Sequence, residues 1–101
     1  MHFVFVYGTL LDPSVQSNLF GKVLEDQEDA LLHDWKICTD WEYPYIKPKT
    51  GSKVTGKILK LSKKQLLQAD RWEEVPDVYQ RIKLLVVQSS GKTMEVWVYI
   101  R

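Results

Sequence analysis

Residues 3–21, FVFVYGTLLDPSVQSNLFG, hold a strand, a sharp turn and a capped helix in one short span. Phe3 to Tyr7 is almost continuously apolar, the pattern of a strand covered on both faces. Gly8 ends it. Asp12-Pro13 then reads as an N-cap followed by proline at the first helical position. A helix from Pro13 to Phe20 should stop at Gly21, the residue type that most readily ends a helix in the left-handed conformation. Val15, Leu19 and Phe20 are expected to face the core.

Working outward, Ala30 to Cys38 carries a strand-like pattern through Leu32, Trp35 and Ile37. Asp40 to Gly51 contains Pro44, Pro48 and Gly51 and is expected to be a long loop with extended pieces. Val54 to Leu61 reads as a strand bent at Gly56. Ser62-Lys63-Lys64-Gln65 has the form of a capping box, so a helix carrying Leu66, Leu67 and Ala69 should run to about Trp72. Pro76 forces a break near Val75. Tyr79 to Gln88 and Thr93 to Ile100 are the strongest strands, joined by a hairpin turn at Ser89-Ser90-Gly91-Lys92. The order β-α-β-β-α-β-β with only short helices predicts an α+β fold: a small, mixed, mostly antiparallel β-barrel flanked by helices.

The 101 residues fit one domain, residues 1–101. An apolar share of 45% supplies a core without disulfides or metal staples. The net charge of +1 provides no field to attract nucleic acid or anionic lipid. Trp35, Trp41, Trp72 and Trp97 lack a flanking basic stripe, so core and pocket lining explain them better than base stacking. No run approaches the roughly 18 apolar residues needed to cross a bilayer. The opening apolar stretch, Met1 to Tyr7, is too short for the apolar region of a signal peptide and lacks its basic region, so a cytoplasmic location is expected. Cys38 stands alone and is expected to be a small buried residue. His2 and His33 have no partner at metal-ligand spacing, and no metal site is expected.

Two segments depart from local rules. In Tyr7-Gly8-Thr9-Leu10 the glycine turn leaves backbone N–H groups free to hold an anion such as a carboxylate. An ordinary strand-to-helix turn would look the same. In Asp70-Arg71-Trp72-Glu73-Glu74-Val75-Pro76 two acids follow a tryptophan at a helix C-terminus, where the dipole is negative. A carboxylate there beside an aromatic has its charged form disfavoured, which suits a general acid–base. A solvated acidic loop is the alternative, and at most one of Glu73 and Glu74 can enter a pocket. Glu74 should be the more exposed.

In these segments the chain resembles the γ-glutamylcyclotransferase-like family, which includes the AIG2-like proteins. Phe3 to Leu10 is similar to the family's opening strand and Tyr-Gly-Thr/Ser-Leu loop, and Tyr43-Pro44 to its aromatic-proline element. Asp70-Arg71-Trp72-Glu73 is similar to the Asp-x-aromatic-Glu segment. Tyr79-Gln80-Arg81 resembles the Tyr-x-Arg that follows, and Val96-Trp97-Val98-Tyr99 the closing strand. The resemblance implies intramolecular attack of an α-amine on its own γ-glutamyl carbonyl, releasing an amine or amino acid and leaving 5-oxoproline. It implies Glu73 as the catalytic residue, Tyr7, Gly8, Thr9 and Leu10 as the substrate loop, and Tyr79 and Tyr99 as pocket walls. It implies a small-molecule γ-glutamyl substrate and no cofactor. The chain departs from the family at Leu11, where many members are basic, and at Glu74, where many have glycine. A non-catalytic barrel that binds a small carboxylate metabolite or a protein partner is the alternative.

Overall fold

The computed structural model describes residues 1–101. The elements are β1 (His2–Val6), a 3-10 turn (Thr9–Leu11), α1 (Pro13–Phe20), β2 (Gln27–Cys38), β3 (Tyr45–Leu61), α2 (Lys63–Trp72), β4 (Gln80–Gln88) and β5 (Thr93–Ile100). The strands close into a barrel in the order β1-β3-β2-β4-β5. Every pairing is antiparallel except β1 with β5, which run parallel with Phe5 beside Val98. The expected mixed, mostly antiparallel barrel with flanking helices is therefore observed.

The unbroken apolar run of β1 has a simple cause. Val4 and Val6 point to one side, among Leu59, Leu61, Leu66, Ala69 and Tyr99, where both helices cover the barrel. Phe5 points to the other, into a cluster with Leu32, Ile58, Val86, Val96 and Val98 that draws on all five strands. Successive residues of one strand thus feed two cores.

Both helices start as their sequences dictate. The Asp12 carboxylate accepts from the Ser14 amide at 2.9 Å, and Gly21 ends α1 at φ 80°. Ser62 and Gln65 form the reciprocal capping box, at 3.1 and 2.9 Å. Val15, Leu19 and Phe20 pack against the core as expected, and Leu66 and Ala69 are buried while Leu67 is exposed.

The expectation of a loop through Gly51 is corrected: β3 begins at Tyr45 and runs through Pro48 and Gly51 as the second arm of a long hairpin with β2. β1 flanks β3 only from Lys57 to Leu61, so β3 is an edge at Pro48, where proline is tolerated. Asp34 sits in the left-handed region at φ 66° where the register shifts, and its Oδ1 accepts from the Gly51 amide at 3.0 Å. Gly56, expected to bend the strand, instead admits a neighbour. A Cβ there would collide with the Val6 carbonyl oxygen and lie 2.7 Å from the Phe5 ring.

The end of α2 is built with an unusual residue. The Glu74 amide donates to Arg71 O and the Val75 amide to Asp70 O, the two bonds of a Schellman ending. The residue such an ending turns on is Glu74 itself, at φ 54°. A side chain in this conformation costs roughly 1–2 kcal/mol.

Two stability predictions follow from this geometry. Gly56→Ala should cost about 3 kcal/mol, because backbone and a buried ring must both move, and lower Tm by 10 °C or more. Glu74→Gly should raise stability by about 1 kcal/mol, or several degrees in Tm, by removing the left-handed strain. Thermal melts of both variants check these values.

Candidate active site

The parallel pairing of β1 and β5 sends their C-terminal ends to the same rim of the barrel. Tyr7 to Leu10 therefore emerge beside Tyr99, and the Tyr7 hydroxyl donates to the Tyr99 carbonyl at 2.7 Å. The C-terminus of α2 closes over the same rim. The Trp72 indole N–H donates to the Thr9 hydroxyl at 3.1 Å and ties the helix end to the loop.

Between them lies a cavity of about 290 Å³. Tyr7 to Leu10 form one wall, Trp72 to Glu74 another, and Tyr79, Tyr99, Val78 and Tyr43-Pro44 complete it. All seven site residues expected from the sequence, Tyr7, Gly8, Thr9, Leu10, Glu73, Tyr79 and Tyr99, line this space. Glu73 is partly buried and Glu74 exposed at the rim, in the order expected. His2 and His33 lie elsewhere, and Cys38 is buried.

In the loop, the Leu11 and Asp12 amides donate to the Gly8 and Thr9 carbonyls at 3.0 Å. Among the turn and cap hydrogen bonds, the amides of Gly8, Thr9 and Leu10 donate to none. Backbone donors in a cavity wall are what a carboxylate needs.

The Glu73 carboxyl takes part in no side-chain hydrogen bond or ion pair, and burial among apolar groups pushes its pKa up to about 7. Burial also raises Tyr79 to about 12, the Glu73 charge adding to it. Burial likewise holds Tyr7 and Tyr99 well above the ordinary phenol range, with Tyr79 and Glu73 adding for Tyr7 and the Asp70 hydrogen bond for Tyr99. The tyrosines thus remain neutral near pH 7, and Glu73 is the cavity carboxyl poised to exchange a proton there.

Behind the cavity is a network that the sequence reading left without a role. The Arg81 guanidinium grips Asp70 with two bonds, at 2.8 and 3.0 Å, and the Tyr99 hydroxyl donates to the same carboxylate at 2.7 Å. The pair is largely buried, with side chains 19% and 16% exposed. Asp70 lies three residues before Glu73, about one helical turn, so the network fixes the helix end that presents Glu73. The signal was available in the sequence: an acid one turn before the candidate glutamate, with a lone arginine on the next strand. The Tyr79 hydroxyl donates to the Pro44 carbonyl at 2.6 Å, which anchors the aromatic mouth where Trp41 packs edge-on against Tyr43.

Comparison with known proteins agrees with this geometry. A zebrafish (Danio rerio) protein named gamma-glutamylaminecyclotransferase A is 29% identical over 107 residues, covering 95% of this chain and 66% of its own length. AIG2-like protein D of Arabidopsis thaliana is 29% identical over 103 residues, covering 99% of this chain and 67% of its own. A solution structure of an Arabidopsis thaliana protein superposes with a TM-score of 0.84 at 29% identity, over 98% of this chain and 61% of that one. The chain thus spans about two thirds of the length of these relatives. Residues 4–101 match the family described as gamma-glutamyl cyclotransferase, AIG2-like, and the chain belongs to that family.

Proposed function

We propose that this protein is a γ-glutamyl cyclotransferase acting on a γ-glutamyl amine or small γ-glutamyl peptide. The observation that carries the reading is the Glu73 carboxyl, set in an apolar cavity opposite the Tyr7–Leu10 loop and shifted to about pH 7.

In the proposed reaction the backbone amides of Gly8, Thr9 and Leu10 hold the substrate α-carboxylate. The substrate folds back so that its α-amine faces its own γ-carbonyl. The amine nitrogen bonds to the carbonyl carbon and closes a five-membered ring, while Glu73 takes the proton that this nitrogen sheds. The tetrahedral centre then collapses, the bond to the leaving nitrogen breaks, and Glu73 returns the proton to it. The products are 5-oxoproline and the free amine or amino acid. Both reacting groups belong to one molecule, so catalysis reduces to holding a pose and moving one proton. A pKa near 7 suits a group that must accept and then donate.

Glu73→Gln keeps size and hydrogen-bonding reach but cannot carry the proton. Release of 5-oxoproline from the best γ-glutamyl substrate should fall by about 10²–10⁴-fold, with ligand binding changed far less. Equal activity in the two proteins contradicts the mechanism. Wild type inactive across a broad γ-glutamyl panel would favour a non-catalytic, carboxylate-binding barrel.

The same carboxyl sets two pH dependences. Activity needs Glu73 ionised in the free enzyme, so kcat/KM should rise with pH through an inflection near 7. Stability runs the other way. A carboxyl held above its unfolded pKa favours the fold while protonated, so stability is lost as pH rises from 4.5 to about 7. Melting curves of wild type and Glu73→Gln should therefore coincide near the lower value and separate in the variant's favour towards the upper one. A constant separation across this window would show that Glu73 is not displaced.

A further inference from the structure

Gln16 is the one polar side chain in the fully buried set, with no exposed surface, on a helix that otherwise packs apolar residues inward. Its amide is used completely. Nε2 donates to the Leu10 carbonyl at 2.7 Å and to Gln27 Oε1 at 3.4 Å, and Oε1 accepts from the Leu24 amide and from Gln27 Nε2, both at 3.1 Å. Gln27 in turn donates to the Leu24 carbonyl at 2.7 Å.

The Leu10 carbonyl has few other donors to draw on. A 3-10 turn that continued would offer it the N–H of residue 13, but Pro13 has none. The Ser14 amide is committed to the Asp12 cap. The proline and cap that start α1 therefore leave the last carbonyl of the Tyr7–Leu10 loop without a backbone partner, and Gln16 supplies one from the next turn. The Leu10 side chain is buried as well, so the residue is held from two directions.

We infer that Gln16 is a positioning residue: by clamping the Leu10 carbonyl into the interior, it fixes the conformation in which Tyr7 to Leu10 line the cavity. The kinetic consequence rests on the proposed cyclotransferase reading; the conformational one does not. Gln27 provides the internal comparison. It shares the network with Gln16 and the Leu24 carbonyl, yet its side chain makes no hydrogen bond to the loop.

The experiment compares wild type, Gln16→Met and Gln27→Leu, with Gln16→Asn as the milder variant should methionine prevent folding. Native-state hydrogen exchange reads the Leu11 and Asp12 amides, which close the loop turn. The expected result is exchange faster by about tenfold or more at these two amides in the Gln16 variant, with barrel amides following only global stability. In Gln27→Leu the two amides should keep their protection relative to the barrel. Equal acceleration in both variants, or none in the Gln16 variant, overturns the inference. The kinetic arm measures 5-oxoproline release. KM should rise about tenfold in the Gln16 variant with kcat within about twofold, because carboxylate binding is lost uniformly. A fall in kcat at unchanged KM overturns it. Absence of turnover in wild type counts against the proposed function, and hydrogen exchange then decides the role of Gln16.

Discussion

The site depends on the parallel pairing of β1 with β5. The other pairings are antiparallel and on their own would leave an open sheet with β1 and β5 at its two edges. Joining the first and last strands in parallel closes the sheet and sends both C-terminal ends to one rim. Tyr7 to Leu10 and Tyr99 come from opposite ends of the chain, yet they share a cavity and a direct hydrogen bond.

Helix α2 supplies the other wall. Its capping box fixes where it begins, and its hydrogen-bonded ending fixes where it stops. The buried Asp70–Arg81 pair and the Trp72–Thr9 bond hold that ending against β4 and the loop. On the helix side of the cavity Asp70 and Trp72 are hydrogen-bonded, whereas the Glu73 carboxyl is left among apolar and aromatic surfaces and its ionisation shifts accordingly. The left-handed Glu74 ends α2 immediately after Glu73, so a strained residue sits directly beside the site.

Much of this was legible in the chain. The opening strand, the Asp12-Pro13 start, the Gly21 stop, the Ser62–Gln65 box and the closing hairpin are local signals, and each appears where its chemistry requires. The two site segments stood out because they break local rules. The far part of β3 was not legible, since Pro48 and Gly51 are ordinarily breakers and only the hairpin edge makes them harmless. Gln16 was missed because its neighbours Val15, Leu19 and Phe20 already explained the helix. Its role arises from a carbonyl that Pro13 strands, a relation made only by folding. The Asp70–Arg81–Tyr99 network is likewise tertiary, joining α2, β4 and β5.

The central claim is that Glu73 is a desolvated carboxyl facing the Tyr7–Leu10 loop. Carbon-13 NMR titration of its side-chain carboxyl, assigned through Glu73→Gln, measures this most directly. The account predicts an inflection near 7, well separated from the exposed carboxylates. Titration at the ordinary value of 4.5 would contradict it.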